Sequence, residues 1–117
     1  MDSKELRERT NAFSLGVVRL FQKMPRDIPS AVLGKQLLRC ATSVGANYRA
    51  ASLAKSRSDF VAKIKICEEE ADESEYWLDL LVDSGAVSEN DVSHLRNEAR
   101  ELTRIFSASA KTARKAL

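Results

Sequence analysis

The stretch from Ser58 to Ser84, SDFVAKIKICEEEADESEYWLDLLVDS, decides the fold. Phe60, Ile64, Cys67, Ala71, Ser74, Leu78 and Leu81 follow one another at steps of four and three, which sets all of them on one face of an α-helix. At about 1.5 Å per residue that helix is roughly 40 Å long. A seam of such length needs rods of similar length to cover it, so the stretch predicts a helical bundle.

Towards the N-terminus the same pattern recurs. Ser3 to about Lys23 reads as a first helix, with Ser3 as N-cap and Leu6, Thr10, Phe13, Val17, Leu20 and Met24 as its seam. Val18 and Phe21 widen that apolar face. KMPRDIPS (23–30) breaks the helix, because proline lacks an amide hydrogen and restricts its predecessor; it is the longest connection expected. Ser30 is the expected cap of a second helix, with Leu33, Leu37, Cys40, Val44, Tyr48 and Ala51 inward and Asn47 beside them. Residues 41–54, ATSVGANYRAASLA, lack bulk. Gly45 in mid-helix costs about 1 kcal/mol relative to alanine, and small residues here would let another backbone come close. KSRS (55–58) is the next break, with Ser58 as N-cap and Asp59 near the positive helix end.

Towards the C-terminus, Gly85 is a candidate left-handed C-cap, and Ser88–Asp91 has capping-box form. A fourth helix carries Val92, Leu95, Ala99, Leu102, Phe106, Ser109, Ala113 and Ala116. The 117 residues therefore predict one all-α domain, 1–117, folded as an antiparallel up-down-up-down four-helix bundle.

The net charge of +2 hides an uneven distribution. Ser58–Ser84 holds nine acids against two lysines, whereas Ser30–Arg57 holds five basic residues and no acid. Leu102–Leu117 adds Arg104, Lys111, Arg114 and Lys115, again without an acid. Segments of opposite sign fit helices that attract one another. They also fit a basic surface for RNA, for which Lys35, Arg49, Lys55, Arg57, Arg104, Lys111, Arg114 and Lys115 are the candidates, with Tyr48 and Trp77 as stacking groups.

The third helix bears a second stripe about 100° from its seam: Ile66, Glu70, Glu73, Trp77 and Leu80. Three large apolar groups mixed with two carboxylates suit a further interface in which the acids are paired. Arg39 or Arg57 of the second helix is the expected partner of Glu70 or Glu73. Val18, Phe21, Arg39, Ile66, Glu70, Glu73, Trp77 and Leu80 are thus the candidate interface residues.

No enzymatic constellation emerges. Di-iron bundles need Glu-x-x-His pairs; here His94 is the lone histidine and Glu70-Ala-Asp-Glu73 lacks one. Neither Cys40 nor Cys67 has a histidine partner in the pattern, and both read as small reduced core residues. The glycines are isolated, so no phosphate loop is present. No cofactor is expected. MDSKELRERT is too polar for a secretion signal, and no apolar run approaches about 18 residues. A cytoplasmic protein with no membrane contact is the expectation.

Ala41-Thr-Ser-Val-Gly-Ala-Asn-Tyr-Arg49, Ser58-Asp-Phe60, Lys63-Ile64 and Glu70-Ala-Asp-Glu73-Ser-Glu-Tyr-Trp77-Leu78 together carry a resemblance. The matching positions are Ser43, Gly45, Asn47, Tyr48, Asp59, Phe60, Glu70, Glu73, Trp77 and Leu78. The chain resembles the four-helix-bundle proteins encoded in intervening sequences of bacterial 23S ribosomal RNA genes, also called the S23 ribosomal family. The resemblance implies a homopentamer with no established enzymatic activity. It further implies kinship with the accessory proteins of diversity-generating retroelements, pentameric barrels whose basic surfaces bind nucleic acid and a reverse transcriptase. The family usually has an acid directly after the position of Arg49, where this chain has Ala50. The expected partners are further copies of the chain, and RNA or a nucleic-acid-processing protein; the alternative is a scaffold subunit that engages another protein and no nucleic acid.

Overall fold

The computed structural model describes all 117 residues. Four helices follow in order: α1 (Ser3–Gln22), α2 (Ile28–Ser52), α3 (Arg57–Asp83) and α4 (Glu89–Lys115). Each packs on the next and α1 closes onto α4, while across the diagonal the Tyr48 ring of α2 meets the Phe106 ring of α4. The bundle is antiparallel throughout and 47 Å long. One apolar cluster of 21 buried residues draws on all four helices, which makes the chain a single core.

The seams are those that the spacing predicts. All six residues of the α1 stripe are buried, as are Leu37, Cys40, Val44, Tyr48 and Ala51 of α2. In α3, Ile64, Cys67, Ala71, Ser74, Leu78 and Leu81 are buried without exception, while Phe60 is half-buried at the helix start. Leu33 of the α2 seam is only half-buried, and the α4 seam departs twice, for Ala116 is exposed just past the helix end. After Phe106 the α4 seam steps to Ala110 and Ala113, and Ser109 is only half-buried. The four-residue step keeps a methyl group inward and a hydroxyl near water.

The boundaries shift where side chains compete for the first free amides of a helix. Asp2, not Ser3, caps α1 by accepting from Glu5 N at 2.8 Å. Asp27, not Ser30, caps α2, taking hydrogen bonds from Ser30 N at 3.0 Å and Ser30 Oγ at 2.9 Å. Pro29 then lies in the first turn, where its missing N–H costs nothing. The α1–α2 link shrinks to residues 23–27, no longer than the α3–α4 link of residues 84–88. Ser56, not Ser58, caps α3 through Asp59 N at 3.0 Å. Ser88 and Asp91 form the expected capping box. Gly85 ends α3 at φ +83°, and Ala86 N donates back to Leu81 O at 3.0 Å.

Two glycines set how closely α1 and α2 approach. A Cβ on Gly34 would stand 2.6 Å from the Phe21 ring, and one on Gly45 would stand 2.9 Å from Ser14 Oγ. Ser14 exploits that approach: its hydroxyl donates to Ala41 O across the interface at 2.7 Å. Gly16 gives Leu95 similar room on the α4 side. The α1–α4 seam is nonetheless the sparsest of the four.

Phe106 is wholly buried, whereas Leu53 is 73% exposed. Replacing Phe106 by alanine is expected to cost about 3–5 kcal/mol, and Leu53→Ala less than about 0.5 kcal/mol. Urea unfolding followed by far-UV circular dichroism measures both.

Candidate functional site

Charge binds the helices together at mid-height. Arg39 of α2 reaches α3, with Nη1 at 3.2 Å from Glu70 Oε2 and Nη2 at 2.7 Å from Glu73 Oε2. The expected pairing thus holds for Arg39. Arg57 takes no part, because it opens α3 and lies on the same rod as the glutamates, well over 15 Å away by helix rise. Arg100 pairs with Glu75 at 2.6 Å and Arg96 with Asp79 at 2.8 Å, joining α4 to α3. Arg96 also meets Glu89, and Arg9 Nε donates to Glu98 at 2.9 Å across the α1–α4 seam.

Glu73 is the node of the α2–α3 contact. Its Oε2 accepts from Arg39 Nη2, from Cys40 Sγ at 2.9 Å and from Trp77 Nε1 at 3.0 Å. These donors favour the charged form. The Cys40 thiol first, then the Trp77 indole, hold the Glu73 carboxyl below its ordinary range, with Arg39 adding to them. Burial and the facing carboxylate push the Cys40 thiol up to about 12. Burial alone pushes Cys67 up to about 12. The Arg39 guanidinium, 3.2 Å from Cys40 Sγ, pulls the other way but is outweighed, so neither thiol is poised as a thiolate nucleophile.

The candidate interface residues divide. Arg39, Glu70 and Glu73 are already engaged within one chain. Trp77 and Phe21 are half-buried against the core, and the Trp77 ring meets Tyr76 edge-on at 4.9 Å. Val18 and Leu80 are half-buried. Ile66 is 41% exposed, and Val32, Tyr76 and Ile28 of the same two helices are more exposed still. Val32 shares with Arg39 the α2 stripe that lies about 100° from its seam; Tyr76 and Ile28 lay outside the sequence-derived set, and their exposed positions on the wheel were the signal available for them.

The eight candidate cations are all exposed, and none forms an ion pair. The topology brings six of them to one end of the bundle, where α1 starts, α2 ends, α3 starts and α4 ends. These are Arg49, Lys55, Arg57, Lys111, Arg114 and Lys115. Arg104 lies roughly 15 Å higher along α4 than Arg114. Lys35 stands apart near the opposite end, beside Phe21, Met24 and Arg26 in a cleft of about 430 Å³; being on the helix with Arg49 does not bring it near, since 14 residues of rise separate them. Tyr48 cannot stack on a base: it is 5% exposed, with its ring 6.0 Å from that of Phe106. No three His, Cys, Asp or Glu side chains converge as metal ligands do. No helix is long and apolar enough to cross a membrane.

Residues 3–108 match the family described as 23S rRNA-intervening sequence protein. The chain belongs to this family. The intervening-sequence fold has a solved counterpart in Bacteroides thetaiotaomicron, a protein of unknown function from the S23 ribosomal protein family. That structure superimposes with a TM-score of 0.87 at 32% identity, over 95% of this chain and 99% of its own. No curated protein matches the chain significantly.

Glu73 in this intervening-sequence protein has a pKa lowered in the folded state. Its contribution is present above the unfolded carboxyl pKa and is lost as pH falls through the lower folded value. Stability is therefore expected to decline below about pH 4, and Glu73→Gln to flatten that decline while lowering stability at pH 7 by about 1 kcal/mol. Thermal unfolding at a series of pH values measures both effects.

Proposed function

We propose that this intervening-sequence protein is a non-catalytic cytoplasmic bundle that assembles with copies of itself, five to a ring, and holds RNA on its basic end. One observation carries the RNA reading: six exposed arginines and lysines gather at one end of the bundle with no carboxylate paired to any of them. The nearby acids are committed elsewhere, Asp2 to capping α1 and Asp59 to Lys63 at 3.1 Å, or lie exposed on α1 as Glu5 and Glu8. Unpaired cations spread over an end 20 × 19 Å across suit several successive phosphates of a polynucleotide. Self-assembly is supported by the large apolar groups left exposed on α2 and α3, Ile28, Val32, Ile66 and Tyr76. The ring of five follows the family resemblance.

Those same exposed groups favour a second reading, a scaffold that binds another protein and no nucleic acid. Titration with a structured RNA separates the two. Binding through all six cations would weaken roughly a thousandfold between 50 and 200 mM salt. The triple variant Lys111→Ala, Arg114→Ala, Lys115→Ala is expected to reduce the slope of log affinity against log salt by about 2–3. Absence of binding at 50 mM salt would leave the scaffold reading in place. Light scattering of the same samples reports the assembly; a monomer at high concentration overturns the ring.

A further inference from the structure

The groove between α1 and α2 at the basic end has a built shape. Arg7, Thr10, Asn11, Gly45 and Arg49 line a cleft of about 180 Å³ with no carboxylate and no large apolar side chain in its wall. Glycine at position 45 keeps the floor open, for a Cβ there would lie 2.9 Å from Ser14 Oγ and 3.6 Å from Thr10 O. The hydroxyls beneath are already used: Ser14 Oγ donates to Ala41 O, and Thr10 Oγ1 donates to Arg7 O at 3.1 Å. The antiparallel register that sets Gly45 against Thr10 and Ser14 brings Arg49 level with Arg7, one turn nearer the end. Both arginines are exposed and neither forms an ion pair. An adjoining cleft of about 340 Å³, lined by Lys4, Arg7, Glu8 and Asn11, continues the groove along α1; Glu8 is the one acid on its border.

Two guanidinium groups on two rigid helices, converging on a small polar cleft, repel each other unless an anion sits between them. Their planar forks fit the oxygens of a phosphate group, to which each can donate two parallel hydrogen bonds. The Asn11 amide supplies a neutral donor one turn away. We propose that Arg7 and Arg49, with Asn11, form a seat for a single backbone phosphate of bound RNA. The seat rests on the RNA reading of the basic end and deepens it, because it replaces diffuse attraction by one fixed contact between α1 and α2.

Two side chains that share one phosphate are coupled, and a double-mutant cycle exposes the coupling. The experiment titrates a short structured RNA into the protein, Arg7→Ala, Arg49→Ala and the double variant, at 50 and 200 mM salt. Each single substitution is expected to weaken binding about tenfold, and the double variant little more than either. Arg7→Lys, which keeps the charge and loses the fork, should stay several-fold weaker than the unaltered protein. Losses that multiply in the double variant, full recovery with lysine, or no loss at all would overturn the seat while RNA binding itself stood. If the unaltered protein binds no RNA, the reading of the basic end falls, and titration with inorganic phosphate then decides the seat. Concerted shifts of the Arg7 and Arg49 Nε–H resonances would sustain it as a phosphate site; unmoved resonances would end it. Circular dichroism of each variant guards against misfolding.

Discussion

Burial of the α3 seam governs the bundle. Its six buried residues meet α2 on one side and α4 on the other, and these are the two most extensive packings in the molecule. A buried aliphatic side chain contributes about 1.5–3 kcal/mol, so the row from Ile64 to Leu81 outweighs any surface pair. α1 is held chiefly through α2, and the close approach at Gly34 and Gly45 makes that attachment possible. The price of those glycines, about 1 kcal/mol each in a helix interior, is offset by the packing they admit and by the Ser14–Ala41 hydrogen bond.

The ion pairs work at another level. Exposed pairs contribute about 0–1 kcal/mol each, too little to decide whether the chain folds. Their placement does decide which surfaces stay charged. α3 carries nine acids between Ser58 and Ser84, and Arg39, Arg96 and Arg100 answer them from both flanks at mid-height. Apart from Asp59, which pairs with Lys63, the α3 acids all lie at Glu68 or beyond, so the cations of the basic end have no ion-pair partner. Neutralisation in the middle and charge at one tip are two results of the same distribution along the chain.

Much of the fold was legible in the sequence, because steps of three and four report directly on which side chains share a helix face. The stripes of α1 and α3 are buried almost residue for residue, and Arg39 finds the two glutamates that wheel geometry offered it. The misses have local causes. Ser3, Ser30 and Ser58 each lie close to another side chain able to cap, and the pattern of apolar residues does not rank them; backbone geometry chose Asp2, Asp27 and Ser56. Ser109 lost its inward place because steps of three and four are equally allowed after Phe106. The site was harder to read. Charge sign is visible in sequence, but the end of the bundle on which a charge falls depends on chain direction, which is why Lys35 parted from Arg49. Arg7 was hidden by the acids around it in KELRER, and its meeting with Arg49 depends on a register that only the packed helices define.

The thin contact between α1 and α4 gives the molecule a line of least resistance. Local opening begins where buried apolar contact is poorest, so the first breathing motion is a parting along that line, with α1 swinging on its attachment to α2 and the Arg9–Glu98 latch released. Such a motion bares the inner sides of Phe13, Val17 and Leu95 without unwinding a single turn. A rod held by one firm seam and one sparse one is the element of the bundle that leaves its neighbours at the lowest cost.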